Sequence, residues 1–166
     1  MNNKNGGMHD WWVSRPWRLI QTNLREIDMR DMDAERFTKD LLNFKANVVM
    51  LSTSGIVANY PTKLPYHFQN PYLEGDSLQE LVKACHAAGI RVIARMDFSK
   101  VRRVIYEKNP EWAFVSNKGE IIDYNGDVHV CFNSLYQQEL SLEIMKETVE
   151  VLDVDGVFFR CILNKR

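Results

Sequence analysis

The sequence predicts an α/β protein with four parallel strands, the N-terminal half of a (β/α)8 TIM barrel carrying a hairpin insert before its last helix. Three observations carry that expectation. Strand-sized apolar runs alternate with amphipathic helical segments in the order βαβαβαβ, which implies right-handed crossovers and a parallel sheet. Polar residues gather at the carboxyl ends of the strands: Arg25, Ser52 to Ser54, Asp97 and position 160. In a barrel those ends share one mouth, where active sites sit. Finally, "NLREIDMRDMD" after the first strand holds no glycine, whereas an open doubly wound sheet places a glycine-rich phosphate turn there.

The first strand is read over 17–26, "WRLIQTNLRE". Ile20, Thr22 and Leu24 alternate there with Gln21, Asn23 and Arg25. Asp33 is the expected cap of a helix with Ala34, Phe37, Leu41 and Phe44 on one face. "NVVMLSTS" (47–54) is the second strand, apolar until its end, as a strand covered on both faces must be. A long loop follows over 55–76, with three of the five prolines and three tyrosines. Loops of this length without regular structure are uncommon and often functional. Ser77 and Glu80 read as a capping box for a helix that turns Leu78, Leu81, Val82 and Cys85 inward, and Gly89 as its stop.

"IRVIARMDF" (90–98) is the third strand. Ile90, Val92, Ala94 and Met96 share one face; Ile93, Arg95 and Asp97 share the other. A third helix is expected over 99–108, ahead of Pro110. "WAFVSNKGEII" reads as a hairpin around Asn117, Lys118 and Gly119, and "VHVCFN" (128–133) as a further short strand. Ser134 and Gln137 read as a second capping box. They open the longest helix, 135–152, with Leu135, Leu142, Met145, Val149 and Leu152 on the inward side. "DGVFF" (155–159) is the fourth strand. Residues 1–16 are expected to form a loose arm; Trp11 and Trp12, with Trp17, are expected to plug the barrel bottom or pack beneath the first strand.

At 166 residues the chain is long enough for one domain with a real core. The net charge of −1 gives no electrostatic case for nucleic acid or a membrane surface. The longest apolar runs are strand-sized, too short for a membrane span. Three cysteines share no CxxC spacing and cannot all pair, which favours a reducing, cytoplasmic compartment and argues against a zinc site. His129-x-Cys131 alone is a weak metal signal, and no cofactor is expected.

"GIRVIARMDFSK", "NPEWAFVSNKGE", "CFNSLYQ" and "DVDGVFF", in this order, resemble the barrel domain called hypothetical glycosyl hydrolase 6. That domain is similar to the α-fucosidase and α-amylase-like glycosidase barrels, and the resemblance runs from about Trp17 to Phe159. It implies a carbohydrate substrate. In the wider clan the fourth strand often ends in a nucleophilic Asp after a D-G-hydrophobic-aromatic-hydrophobic run. Asp155 to Phe159 match that run, and Arg160 stands where the acid would be. The resulting expectation is a half barrel over 17–159 with a non-native tail at 160–166. Such a chain would be inactive alone and prone to self-association through its open barrel edges.

Glycoside hydrolysis ordinarily uses two carboxyl groups, and four strands can supply only part of that pair. Asp97 is the best carboxylate, for substrate contact or catalysis; its structural alternatives are pairing with Arg95 or Arg25, or capping at Ser99. Arg25 and Arg95 suit sugar hydroxyls or a carboxylate, or else a rim ion pair. Tyr66 and His67, in the aromatic loop with Tyr60, Phe68 and Tyr72, suit stacking and hydroxyl contacts. Trp112 is a stacking platform or a core anchor of the hairpin, and Glu26 a solvated loop acid. Two other readings stand beside the glycosidase-like fragment. One is a non-catalytic carbohydrate-binding or structural remnant; the other is a doubly wound nucleotide- or phosphate-binding protein.

Overall fold

The computed structural model describes residue 13 and residues 16–160. The expectations for Trp11 and Trp12, for most of the arm and for residues 161–166 lie outside the described residues. The main sheet contains β1 (Leu19–Gln21), β2 (Val48–Gly55), β3 (Arg91–Asp97) and β7 (Gly156–Arg160). All its pairings are parallel, in the order β1-β2-β3-β7. Each strand therefore lies beside its predecessor in the sheet, without the reversal of direction that defines a doubly wound sheet. A second, antiparallel sheet is made by β4 (Lys100–Arg102), β5 (Asp123–Tyr124) and β6 (Asp127–His129), in the order β4-β6-β5. The helices are α1 (Ala34–Asn43), α2 (Ser77–Ala87), the single turn α3 (Arg103–Tyr106) and α4 (Ser141–Leu152).

The alternation read from β3 governs the packing. Val92 joins Val49 and Leu51 against Leu41 of α1 and Leu78, Leu81, Val82 and Cys85 of α2. Ala94 and Met96 pack with Phe98, Tyr136 and Ile144 of the α4 side. On the opposite face, Ile93 meets Val48 and Met50. Each fully buried aliphatic side chain contributes about 1.5–3 kcal/mol, which makes the helix-covered face the main source of stability. Asp33 caps α1 as expected, its Oδ1 accepting from the Arg36 amide at 2.9 Å.

Six expectations need correction. Phe44, read on the same face as Leu41, is the C-cap of α1 and is exposed. β1 is three residues long, because the chain leaves the ladder after Thr22 and turns at Glu26–Met29. Asp28 drives that turn by accepting from the Arg25 amide at 2.7 Å and from its guanidinium. The helix expected over 99–108 is replaced by β4 and the one-turn α3: β4 pairs with β6, and Val101 is buried opposite Val128. Neither capping box forms as read. The Ser77 hydroxyl donates to the Met29 carbonyl, and Ser134 to that of Cys131. The inward face of α4 consists of Ser141, Ile144, Thr148 and Leu152, while Leu135, Leu142 and Val149 are exposed. A π turn at Tyr136–Leu140 adds one residue ahead of the helix and rotates its face away from the simple periodicity. Lastly, β7 runs through Arg160, one residue past the strand end read at 159; Arg160 is the register partner of Asp97, and its carbonyl accepts from the Phe98 amide at 3.1 Å.

Among the described residues, no helix is long and apolar enough to cross a membrane.

Candidate functional site

A cleft of about 370 Å³ lies at the carboxyl ends of β2 and β3, beside the turn that follows β1. Its polar lining comes from Arg25, Glu26, Ser52, Ser54, Asn59, Arg95 and Asp97, and its apolar walls include Leu24, Ile56 and Val57. The sheet builds this arrangement through an irregularity in β2. Pairing with β3 shifts between Ser52 and Ser54, so Ser52 lies opposite Arg95 and Gly55 opposite Asp97. Thr53, at the shift, is fully buried, and its hydroxyl donates to the Arg95 carbonyl at 3.3 Å. The bulge turns Ser54 toward α4, where it bonds the Thr148 hydroxyl at 2.9 Å. Ser52 is left beside Arg95, whose Nη1 donates to the Ser52 hydroxyl at 3.2 Å.

The carboxylates of the cleft are partly committed. Asp97 Oδ1 accepts from the Ser99 amide at 3.0 Å and from the Ser99 hydroxyl at 2.5 Å. Its second oxygen has no hydrogen-bond partner among the described residues. Glu26 pairs with Arg102, which also reaches Asp127 at 2.8 Å and so ties the β1 turn to the second sheet. Glu26 is thus a cleft residue held in an ion pair, not the free loop acid read from sequence. Arg25 pairs with Asp28 at 2.7 Å at the rim of the cleft.

The aromatic loop is pinned to α4 instead of lining the cleft. Glu147 accepts from the Tyr60 hydroxyl at 3.1 Å, the Thr62 hydroxyl at 2.6 Å and the Lys63 amide at 2.7 Å. Tyr66 donates to Glu143. Burial comes first among the causes that push both tyrosine hydroxyls well above their ordinary pKa, and the neighbouring glutamates add to it. His67 lies beneath the loop, 4% exposed, with its ring edge-on to Tyr60 at 6.1 Å. Asn70 links the loop back to the mouth, donating to the Glu26 carbonyl at 3.0 Å and to Asn59 Oδ1 at 2.8 Å.

Of the six residues singled out by sequence, the structure gathers Arg25, Arg95 and Asp97 in one cleft. It places Tyr66 against α4, His67 in the interior and Trp112 in the core. Trp112 packs on Tyr136 at 5.4 Å between ring centroids, so the hairpin-anchor alternative holds and the ring has no open face for a sugar. The structure adds Ser52, Asn59 and Glu147 to these six. The polar end of the second strand pointed to Ser52; nothing local in the sequence distinguishes the other two. No group of three or more His, Cys, Asp or Glu side chains among the described residues is arranged to hold a metal ion.

A parallel sheet in sequential order with a polar cleft at its carboxyl ends defines a domain of the (β/α)8-barrel type. The chain belongs to the hypothetical glycosyl hydrolase 6 family, which matches residues 33–161. No curated protein matches the sequence. Solved structures share the fold. The α-L-fucosidase isoenzyme 2 of Paenibacillus thiaminolyticus is 19% identical with a TM-score of 0.73, covering 91% of this chain and 24% of its own. The maltogenic α-amylase AmyB of Thermotoga neapolitana is 22% identical with a TM-score of 0.60, covering 89% of this chain and 39% of its own. A hypothetical protein of Ruminiclostridium thermocellum is 18% identical with a TM-score of 0.65, covering 89% of this chain and 77% of its own. The chain therefore spans well under half the length of the fucosidase and the amylase, and its four-stranded sheet corresponds to half of a TIM barrel.

Proposed function

We propose that this chain is a glycosidase-like half barrel that binds carbohydrate at the β2–β3 cleft, through Arg95 and Asp97 with Arg25 at the rim, and does not hydrolyse glycosides by itself. The supporting observation is the coincidence of family and place: a glycosyl hydrolase-type chain with a polar cleft at the carboxyl ends of its strands. Hydrolysis needs one carboxyl group to protonate the leaving oxygen and a second to attack or to activate water. Glu26 is tied to Arg102, and Asp97 gives one oxygen to Ser99. What remains is one free carboxylate oxygen in the same cleft as the Arg95 guanidinium, a set suited to hydroxyl recognition. Titrating the chain with neutral and acidic mono- and oligosaccharides, observed by amide NMR, should move the resonances of residues 52–59 and 95–97. Incubation with a panel of aryl glycosides should release no phenol; turnover abolished by Asp97→Asn would overturn the non-catalytic half of the proposal. Residence in the cytoplasm is part of the same reading, supported by Cys85 and Cys131, which form no disulfide among the described residues.

Self-association is favoured by a specific observation. Val157, Phe158 and Phe159 of β7, the last strand of the sheet among the described residues, are 41%, 46% and 55% exposed. An edge with apolar side chains on both faces is a template for pairing. Light scattering after size exclusion should give a mass above that of one chain, and Phe159→Lys should lower it; a monomer at micromolar concentration would remove this part of the proposal.

A further inference from the structure

We infer that the cleft selects a sugar bearing an anionic group, and that Arg95 is the residue that selects it. The inference rests on the carbohydrate reading above and narrows it. It starts from the charges around the mouth. Arg25 is held by Asp28, and Arg102 by Glu26 and Asp127. Further along the sheets, Arg91 pairs with Asp155 and Arg103 with Asp123. Arg95 differs from all of these: among the described residues no carboxylate lies within 4.0 Å of it. Its side chain is half-buried, and it meets a neutral acceptor, the Ser52 hydroxyl.

A guanidinium that has surrendered part of its water without gaining a counter-ion is prepared for an incoming anion. One N–H of Nη1 is engaged by Ser52. The remaining donors of the fork can take a carboxylate or phosphate through two parallel bonds. Asp97 lies two residues further along the same strand face, with one oxygen turned to Ser99 and the other unengaged. That oxygen repels an anion and accepts hydroxyls. A ligand bearing both kinds of group is therefore oriented, with its charge on Arg95 and its hydroxyls on Asp97. A neutral sugar leaves the guanidinium without its counter-ion. The shared chemistry is a sugar carrying a carboxylate, a phosphate or a sulfate.

The test is an NMR titration of the full chain at low salt with glucose, glucuronate, glucose 6-phosphate and glucose 6-sulfate. At least one acidic sugar should bind roughly tenfold more tightly than glucose, as expected for a charge-assisted fork contact. The tightest of the three identifies the anionic group. Arg95→Gln should bring the acidic-to-neutral ratio close to one, and Arg95→Lys, which keeps the charge without the planar fork, should give an intermediate ratio. A structural effect of either substitution would change both affinities alike and leave the ratio in place. Equal affinity for glucose and every acidic sugar, with a ratio untouched by Arg95→Gln, overturns the inference and leaves the carbohydrate reading standing. No measurable binding of any sugar overturns the carbohydrate reading, and the inference with it.

Discussion

Gly55 and Asp97 approach so closely across the β2–β3 ladder that a Cβ on Gly55 would sit 2.5 Å from both the amide nitrogen and the carbonyl carbon of Asp97. Gly55 also has φ +107°, a conformation that side-chain-bearing residues rarely adopt. The contact is backbone against backbone, so no rotamer change relieves it. The bulge at Thr53 puts Gly55 in this position, and the same bulge turns Ser52 toward Arg95. Gly55→Ala should therefore cost roughly 2–4 kcal/mol and displace Asp97 from the cleft. Urea unfolding measures the first effect. Loss of the NMR response of residues 95–97 to sugar measures the second.

Glu147 is the fastening point of the loop over 55–76, with three loop donors on its two oxygens. Glu147→Ala leaves Tyr60 OH, Thr62 OH and the Lys63 amide without this acceptor. The expected loss is about 2–3 kcal/mol, at the level of hydrogen bonds to a charged group with partial rescue by water. The damage should be local. Trypsin should cut after Lys63 sooner, and amide exchange should quicken over 58–70 while β3 keeps its protection. Uniform acceleration across the sheet would argue against a dedicated fastening role.

Much of the framework follows from periodicity, and much of the cleft does not. The faces of α1, α2 and β3 are set by which side chains must leave water, and that information is written at fixed spacing in residues such as Leu41, Leu81 and Val92. The Asp33 cap is legible for the same reason, since its chemistry acts within one turn. The bulge is not legible, because Ser52, Thr53 and Ser54 are alike in polarity and only the neighbouring strand decides which of them loses its ladder position. The π turn before α4 hides in a stretch that satisfies ordinary helical spacing, so that spacing points Leu142 and Val149 inward although both are exposed. His67 and Trp112 show a third limit. Aromatic residues serve cores and sugar sites with the same atoms, and their tertiary neighbours, Tyr60 and Tyr136, decide between the two.

Asp155 belongs to stability, at the opposite end of β7 from the cleft. Its carboxylate accepts from Arg91 Nη1 at 2.6 Å, from the Val92 amide at 2.9 Å, and bonds His86 Nε2 at 2.8 Å. Burial by itself would raise its pKa. The Val92 amide, Arg91 and His86 outweigh that and hold the carboxyl below its ordinary value. Asp155→Ala removes the hub that aligns β7 with β3 and should cost roughly 2–4 kcal/mol, less than for a fully buried pair because Arg91 and His86 stay partly solvated. Because the folded pKa is lowered, the stabilisation is present above the unfolded carboxylate pKa and lost as pH falls through the folded one. Asp155→Asn should show a smaller loss of stability at pH 3 than at pH 7, read from urea midpoints.

His67 should make the fold acid-sensitive in a higher window than Asp155 does. Burial lowers its pKa from 6.5 to about 4, while the charge of Glu147 and the Gly55 backbone pull weakly the other way. Neither ring nitrogen has a well-formed hydrogen bond, so the imidazole is held neutral beneath the loop. The unfolded chain takes up this proton near pH 6.5 and the folded chain only near pH 4. Stability therefore falls with decreasing pH between those values and levels off below the lower one. A difference of this size corresponds to roughly 3 kcal/mol across the window. His67→Leu fills the same apolar site without a titrating group and leaves no donor or acceptor of Tyr60 or Glu147 newly unpaired, since neither bonds the ring. Unfolding free energies measured from pH 7 to pH 4 should decline steeply in the native sequence and much less in His67→Leu. Because Tyr60, Thr62 and Lys63 are fastened to Glu147 beside the ring, exchange of the 58–70 amides should quicken over the same window. Parallel pH profiles for the two proteins would show that the ring is already solvated in the folded state.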